Sequence, residues 1–482
     1  MIIDRIYEWA RIQPNKNAII WNDIEISYAW FARLIEITRR FLERQHLPRG
    51  STCALVIRNL ADCWIVCIAA RAIGLNTISL RNASQARQLE IRDLSCFVTV
   101  EAEVRDLASP QSANARIINI PISIYSNASQ DDLPVPLEIN SIYGGHILYT
   151  SGTTGAYKKL LWHASDEEQR ATARAKFHQF DARTVLHNLA YLWTGAGFKR
   201  PLSVWRVGGC VVFDQTPDFL SKFFQHGITN ALILPSTLDQ LLSTHKLRLA
   251  SSVRPTLNVG GSVLSPHQVL RALDQLNSDV IIEYSATELS TPPLMSIVRN
   301  EDDIVWLWPQ AGRDISIVNE ELASVAPNEE GILRIALNNL DFESYYDEPG
   351  GKSAFNDGYF YPGDMAVKRA DGRIQILGRI GDVINIGGTK FAVAPIEQRL
   401  QRHLGADEVC LFAHLNDTGQ EELIVAIQSS SAPAQAKLDD VRREFSAFES
   451  VKFHVLNEFP RTDTGTAKVQ RVILKNLLTK RQ

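Results

Sequence analysis

The segment Tyr149-Thr-Ser-Gly-Thr-Thr-Gly-Ala-Tyr-Lys158 concentrates small hydroxyl residues, glycines and a lysine directly after the apolar run HILY, residues 146–149. Glycine has no Cβ, so at Gly152 and Gly155 a backbone can approach an anion closely. Backbone N–H groups, the hydroxyls of Thr150, Ser151, Thr153 and Thr154, and the Lys158 ammonium can together cradle a polyphosphate. The spacing is not that of a Walker A loop, which needs four residues between its glycines and a terminal Gly-Lys-Ser/Thr. Taken alone, a flexible Gly/Ser/Thr turn has the same composition.

Three further motifs could do related chemistry. Tyr284-Ser-Ala-Thr-Glu288 follows the strand-like VIIE, and loops at the carboxyl ends of strands are where open α/β sheets bind ligands. Glu288 can hold Mg²⁺, which favours one or two carboxylates together with phosphate and water. Thr287 can donate to a phosphate oxygen, and Tyr284 can stack on a base. Gly358-Tyr-Phe-Tyr-Pro-Gly-Asp364 leads into Asp371-Gly-Arg and Arg379. Asp364, after a Pro-Gly turn, suits the two hydroxyls of a ribose-like diol, and Arg379 can reach a phosphate or the sugar. Last come Gly387-Gly388-Thr-Lys390 and Pro460-Arg-Thr-Asp-Thr-Gly-Thr-Ala-Lys468. A lysine on such a Gly/Thr loop can neutralise a carboxylate and a phosphate at once. Each motif alone has a bland alternative: a turn, a helix cap, or a solvated tail.

The elements that must position these groups follow from periodicity. Apolar runs predict strands at 18–21, 24–27, 52–57, 76–80, 211–213, 230–235, 257–261 and 280–284. Three- and four-residue spacing predicts helices at 28–46, 60–74, 217–225, 237–244 and 266–276. This alternation implies α/β architecture, with mixed sheets covered by helices. From about residue 315, short strands between Gly, Asn and Asp turns predict a β-rich subdomain. After Gly381 a further α+β unit is expected, with helices at 395–403 and 436–446, strands at 408–414, 422–428 and 451–456, and a basic helical tail at 468–481.

In their order and spacing the four motifs, with the ISYAWFARL and GGSVLSP segments, make the chain resemble the adenylate-forming (AMP-binding) superfamily: acyl- and aryl-CoA synthetases, stand-alone adenylation domains and luciferases. The resemblance covers nearly the whole sequence. It implies that a carboxylate attacks the α-phosphate of Mg·ATP, giving an acyl-adenylate and pyrophosphate, after which a thiol displaces AMP. By position, Thr150, Ser151, Gly152, Thr153, Thr154, Gly155 and Lys158 would hold the phosphates. Glu288, with Thr154, would serve the Mg²⁺, and Thr287 the α-phosphate region. Tyr284 would stack on adenine, Asp364 and Arg379 would hold the ribose, and Lys468 would be the catalytic lysine. The resemblance also implies a large domain over 1–380 and a small mobile domain over 381–482, with Gly381 at the swivel and Gly387 and Gly388 lining a thiol channel.

The sequence departs from the family pattern in three places. Tyr157-Lys158-Lys159 stands where Pro-Lys-Gly is usual, Ser285 replaces a glycine, and Thr466-Ala467 separate Gly465 from Lys468. Members that activate amino acids hold the ammonium with an aspartate in the segment matching 187–197, and no acidic residue occurs between Arg183 and Val212. A non-amino-acid carboxylate, aryl or short-to-medium acyl, is therefore expected, in a largely apolar pocket of Trp193, Thr194, Phe198, Gly260, Gly261, Ser262, Tyr284 and Ser285. His187 is a possible polar contact or a structural histidine. The acceptor is coenzyme A or, alternatively, the phosphopantetheine arm of a carrier protein; a homologue that binds nucleotide without catalysis is the third reading.

Composition narrows the class without naming the activity. Lys+Arg number 50 against Asp+Glu 54, a net charge of −4. That argues against general nucleic-acid binding, which needs a basic footprint. Residues 381–482 carry 13 basic and 13 acidic side chains, so charge does not decide between the two acceptors. The six cysteines are scattered without a Cys-x-x-Cys pair, which argues against a disulfide framework or an ordinary zinc site. The longest apolar stretch, 53–75, contains Arg58, Asp62 and Arg71, so it is not expected to span a membrane. A cytoplasmic location is the expectation.

Overall fold

The structure is a computed structural model. It describes all residues except 101–114, 127–141, 152–156, 215, 217–222, 224, 234, 245–253, 260–265, 277, 347–353, 381–382, 387–388, 416–420, 447, 449, 462–468 and 480–482. Among the described residues the strands form five sheets.

The sheet that carries the Tyr284 motif runs Trp308–Pro309, Leu294–Ile297, Asp279–Tyr284, Thr256–Val259, Asn230–Ile233, Val185–His187, Cys210–Val212, Asn17–Trp21 and Ile24–Ser27. Its central strands are parallel and its two edges antiparallel. Parallel strands covered on both faces should read as apolar runs, and the predicted strands do. The sheet that carries the hydroxyl-rich segment runs Arg116–Ile120, Leu94–Val100, Thr52–Leu55, Asn76–Ser79, His146–Ser151 and Tyr157–Trp162. The β-rich subdomain is a third, antiparallel sheet built on Glu330–Ala336, Asp364–Lys368 and Ile374–Arg379.

Helices fill the space between sheets. Leu60–Ala72 starts where the Asn59 side chain accepts from the backbone N–H groups of Ala61 and Asp62. It is buried on nearly every face, which explains its largely apolar sequence without a membrane. No helix among the described residues is long and apolar enough to cross one. Arg71, inside that helix, donates to Glu167 at 2.6 Å and to the Gly144 carbonyl at 3.0 Å. The predicted helix at 28–46 stops at Glu43, and Ser27 caps its start by accepting from Trp30 N.

Besides Ile2–Ile12 and three helices of four residues, two longer helices inside the chain were not legible. Ala164–Phe177 has a mostly polar sequence, and Gly195–Arg206 begins Gly-Ala-Gly and contains Pro201. Glycine and proline carry the poorest helix propensities; burial of Phe198, Leu202, Val204 and Trp205 overrides them. The helix expected at 217–225 falls largely outside the described residues.

After residue 382 the chain forms an α+β unit. The helices Val393–Leu404 and Gln435–Glu444 pack with the strands Glu408–Leu415, Glu421–Gln428 and Ser450–Leu456. One apolar cluster there, including Ile384, Leu400, Leu411, Val425 and Val441, draws all its buried members from this unit. All six cysteines are buried and unbridged.

Candidate active site

The hydroxyl-rich segment starts on a strand, His146–Ser151, and leaves on another, Tyr157–Trp162. Their antiparallel register sets Thr150 opposite Lys158 and Ser151 opposite Tyr157. Residues 152–156, with Gly152, Thr153, Thr154 and Gly155, lie outside the described residues, but both ends of the segment are fixed by this hairpin. Lys158 does not follow a loop, as its sequence neighbours suggest; it belongs to the returning strand. Its ammonium lies 4.6 Å from the centre of the Tyr345 ring. The next residue, Lys159, is buried and donates to the carbonyls of Leu89 and Glu90 at 2.7 and 3.1 Å.

Tyr345 connects this strand to the second motif, because its hydroxyl donates to Glu288 Oε1 at 2.8 Å. Glu288 is 7% exposed. A carboxylate held by one oxygen in a buried wall is oriented for a cation. The loop after Tyr284 is held from three sides. Lys199 donates to the carbonyls of Thr287 and Leu289 at 2.6 and 2.8 Å. Ser290 donates from its N–H and hydroxyl to Asp341 at 2.7 and 2.9 Å, and Arg313 pairs with the same aspartate. At the start of the capped helix Gly195–Arg206, a Cβ on Gly195 would sit 3.1 Å from the Thr287 hydroxyl. That close approach is what a glycine allows.

The third motif joins the second directly. Asp279–Tyr284 ends with the Tyr284 hydroxyl donating to Asp364 Oδ2. Arg379 Nε lies 3.2 Å from Asp364 Oδ1, and the two residues face each other in the ladder between Asp364–Lys368 and Ile374–Arg379. Gly363, at φ 80°, makes the turn that delivers Asp364. Burial and the Asp364 carboxylate push the Tyr284 phenol well above its ordinary value, so it stays protonated and donates.

Several expected pocket residues are used otherwise. Phe198 is fully buried, stacked between Trp64 at 5.4 Å and His146 at 4.1 Å. The expectation that it lines a pocket is corrected: helical periodicity turns it into the core. Thr194 caps its helix, accepting from Gly197 N at 2.9 Å and donating to the Tyr191 carbonyl at 2.8 Å. Trp193 is 3% exposed, stacked on Tyr191 at 4.3 Å, and its carbonyl accepts from Tyr149 N. His187 is buried edge-on to Phe223, 5.5 Å away. Burial pushes its imidazole down to about 4, so it is neutral at physiological pH. Ser285 is exposed beside Tyr284. Gly260, Gly261, Ser262, Gly381, Gly387, Gly388 and Lys468 lie outside the described residues.

Sequence reasoning missed Lys199, Arg200, Asp341 and Tyr345. The first two left a signal. Between Arg183 and Val212 there is no acidic residue, so cations buried there must find distant partners, as Arg200 finds Glu283 at 2.7 Å. Tyr345 left none, since its role depends on a contact across 57 residues of sequence.

Fold and site define a class: a mixed α/β protein whose charged and hydroxyl side chains gather at the carboxyl ends of strands, where open α/β sheets bind ligands. The comparisons with known proteins agree. The AMP-binding enzyme family model matches residues 6–346. The chain is 26% identical to pseudomonine synthase PmsE of Pseudomonas entomophila, over 83% of this chain and 70% of that one. It is 23% identical to 4-hydroxybutyrate–CoA ligase 2 of Metallosphaera sedula, over 96% and 91%. Among solved structures, O-succinylbenzoate coenzyme A synthetase (MenE) of Bacillus subtilis, in complex with ATP and magnesium ion, superposes with a TM-score of 0.82 at 18% identity, covering 98% of this chain and 99% of that one. The chain belongs to the AMP-binding enzyme family. It is an AMP-forming ligase of the acyl- and aryl-CoA synthetase type, and it uses ATP.

Proposed function

We propose that this ligase activates a non-amino-acid carboxylate, aryl or short-to-medium acyl, with Mg·ATP and passes the acyl group to coenzyme A. One observation carries the reading. Tyr345 links Lys158 to Glu288, and Asp364 is gripped by Tyr284 and Arg379, so that the short loop Tyr284–Glu288 is tied at one end to Asp364 and at the other to the strand that carries Lys158. The names of the relatives support coenzyme A as acceptor.

Thr150, Ser151 and Lys158, with Gly152, Thr153, Thr154 and Gly155, hold the phosphates. The residues around Glu288 fit a hard cation: a carboxylate oxygen is already fixed by the Tyr345 hydroxyl, and Thr154 supplies a hydroxyl. When bound there, Mg²⁺ supplies charge neutralisation at the phosphates. Asp364, with both oxygens oriented, takes the ribose diol, Arg379 steadies it, and Tyr284 packs on the base. Lys468 aligns the substrate carboxylate and offsets charge as the new bond forms. This is catalysis by positioning and electrostatic stabilisation.

Residues 381–482 form the mobile domain in this reading. Gly381 is the swivel, and Gly387 and Gly388 line the thiol channel after rotation. The test is thioester formation from a supplied acid and ATP, with coenzyme A compared against a holo-carrier protein. Product with coenzyme A supports the proposal; product with the carrier protein alone refutes the acceptor.

A further inference from the structure

Asp23, Asp214 and His226 meet near one edge of the nine-stranded sheet, away from the candidate active site. The hairpin from Asn17–Trp21 to Ile24–Ser27 turns on Asn22 and Asp23, both left-handed at φ 46° and 68°. A two-residue loop with both central residues in that region matches the twist of its strands. Asn17–Trp21 runs parallel to Cys210–Val212, with Ile20 beside Val212. The Phe213 N–H continues the ladder to the Ile20 carbonyl at 2.8 Å. Asp23 and Asp214 therefore stand at the same end of two neighbouring strands, and His226 comes from the turn before Asn230–Ile233. Four strand spacings separate Cys210–Val212 from Asp279–Tyr284, roughly 19 Å across the sheet.

The spacing is that of a ligand set. His226 Nε2 lies 3.1 Å from Asp214 Oδ2 and 3.7 Å from Asp23 Oδ1. One ligand atom from each residue falls within 4.8 Å of the others. Nitrogen and oxygen ligands about 2.1 Å from a tetrahedral ion stand about 3.4 Å apart, and the two separations to Nε2 bracket that. Thr216 donates its N–H and hydroxyl to Asp214 Oδ1 at 2.9 and 2.5 Å. This fixes the carboxylate with Oδ2 toward His226, the kind of outer support that metal-binding carboxylates have.

Charge gives an independent argument. The Asp214 side chain is 0% exposed, and buried charges are paired or coordinate metals. Among the described residues no lysine or arginine pairs with Asp214; its only ion-pair partner is His226. Burial raises the Asp214 carboxyl, but hydrogen bonds from Thr216 and His226 overcome that and hold it below its ordinary value, so it is ionised. His187, which feels the charge of Asp214, is kept neutral by burial and supplies no counter-charge. A divalent ion offsets two carboxylates. Asp23, whose side chain is 50% exposed, leaves the cluster open to solvent, so an ion can enter and keep a water. The set holds no cysteine, so cysteine spacing does not reveal it.

We propose that Asp23, Asp214 and His226 bind a divalent first-row transition-metal ion of the Zn²⁺ type, which ties the edge hairpin to the end of its neighbouring strand. The imidazole disfavours Mg²⁺ and Ca²⁺, which take oxygen ligands. The site is thus separate, in place and in chemistry, from the Mg²⁺ position proposed at Glu288, and it does not depend on the acid-activating reading.

The test is equilibrium dialysis of chelator-stripped protein against Zn²⁺, without nucleotide, with bound metal counted by atomic spectrometry. A parallel titration with Co²⁺ is read by its visible ligand-field bands. Wild type should retain one Zn²⁺ per chain in a large excess of Mg²⁺. Asp23→Asn should weaken binding by about 10-fold or more, since even an outer-shell partner is worth that much. Asparagine tolerates the left-handed turn, so this variant keeps the hairpin. His226→Gln should remove the Co²⁺ bands, and Glu288→Gln should keep both the bands and the Zn²⁺. No Zn²⁺ retained by wild type, binding unchanged in both Asp23→Asn and His226→Gln, or binding lost in Glu288→Gln would each overturn the proposal and leave His226 and Asp214 as a plain hydrogen-bonded pair.

Discussion

Tyr345 shows how much of this site depends on one contact. Its ring faces the Lys158 ammonium and its hydroxyl holds Glu288. In the proposed mechanism it is a positioning residue, acting through the carboxylate that holds Mg²⁺. Groups of this kind set metal affinity by 10–100-fold in other sites. Tyr345→Phe should therefore raise the Mg²⁺ concentration needed for half-maximal exchange by roughly 10-fold or more, with a stability cost of about 1 kcal/mol. A Mg²⁺ titration that superposes on wild type would remove Tyr345 from this role. Glu288, Asp364 and Arg379 were singled out in the sequence by the order of their motifs, and the structure sets each beside a turn or strand end. Tyr345 was not, because its sequence neighbours carry no sign of its partner. Phe198 was misread for a related reason: one side chain can line a pocket or fill a core, and only the packed helix reveals which.

The loop from Tyr284 to Ser290 depends on supporting elements. Helix Gly195–Arg206 grips it through Lys199, and the segment around Asp341 grips its end through Ser290. Burial raises the Asp341 carboxyl, but hydrogen bonds and charge from Arg313 overcome that and hold it below its ordinary value. A carboxyl depressed in the folded state stabilises fully above its unfolded value near 4 and loses that contribution as pH falls through the folded value. Asp341→Asn leaves Arg313 buried without its counter-charge, and should cost about 3–5 kcal/mol at neutral pH. Its stability should also fall less steeply than wild type below pH of about 4. Urea unfolding at pH 7 and at pH 3–4 measures both effects, and parallel pH profiles would contradict the assignment. The strands of this part of the fold were legible as apolar runs between turns. The gripping helix was not, since Gly195, Gly197 and Pro201 argue locally against it and only burial in the core decides for it.

For the whole molecule, the negligible net charge of −4 fits an enzyme whose anion is met by a few placed groups. The two-part architecture was legible because the strand–helix alternation gives way to short strands and then to a second α+β unit. The proposed division of labour between these parts is testable. Lys468→Ala should abolish adenylation, by a factor on the order of 10²–10³ or more, while largely sparing thioester formation from supplied acyl-adenylate. Equal loss in both half-reactions, or survival of adenylation, would show that the lysine after the Thr466-Ala467 interruption is not the group that meets the carboxylate.

The most direct test of the central claim is ATP–pyrophosphate exchange in the presence of Mg²⁺, screened over a panel of aryl, hydroxyaryl and acyl carboxylates. The account predicts exchange that requires both a carboxylate from this panel and Mg²⁺, and that is not supported by amino acids. Exchange driven only by amino acids would contradict the reading of the acid site, and no exchange with any acid by protein that binds ATP would contradict the claim that this chain forms an acyl-adenylate.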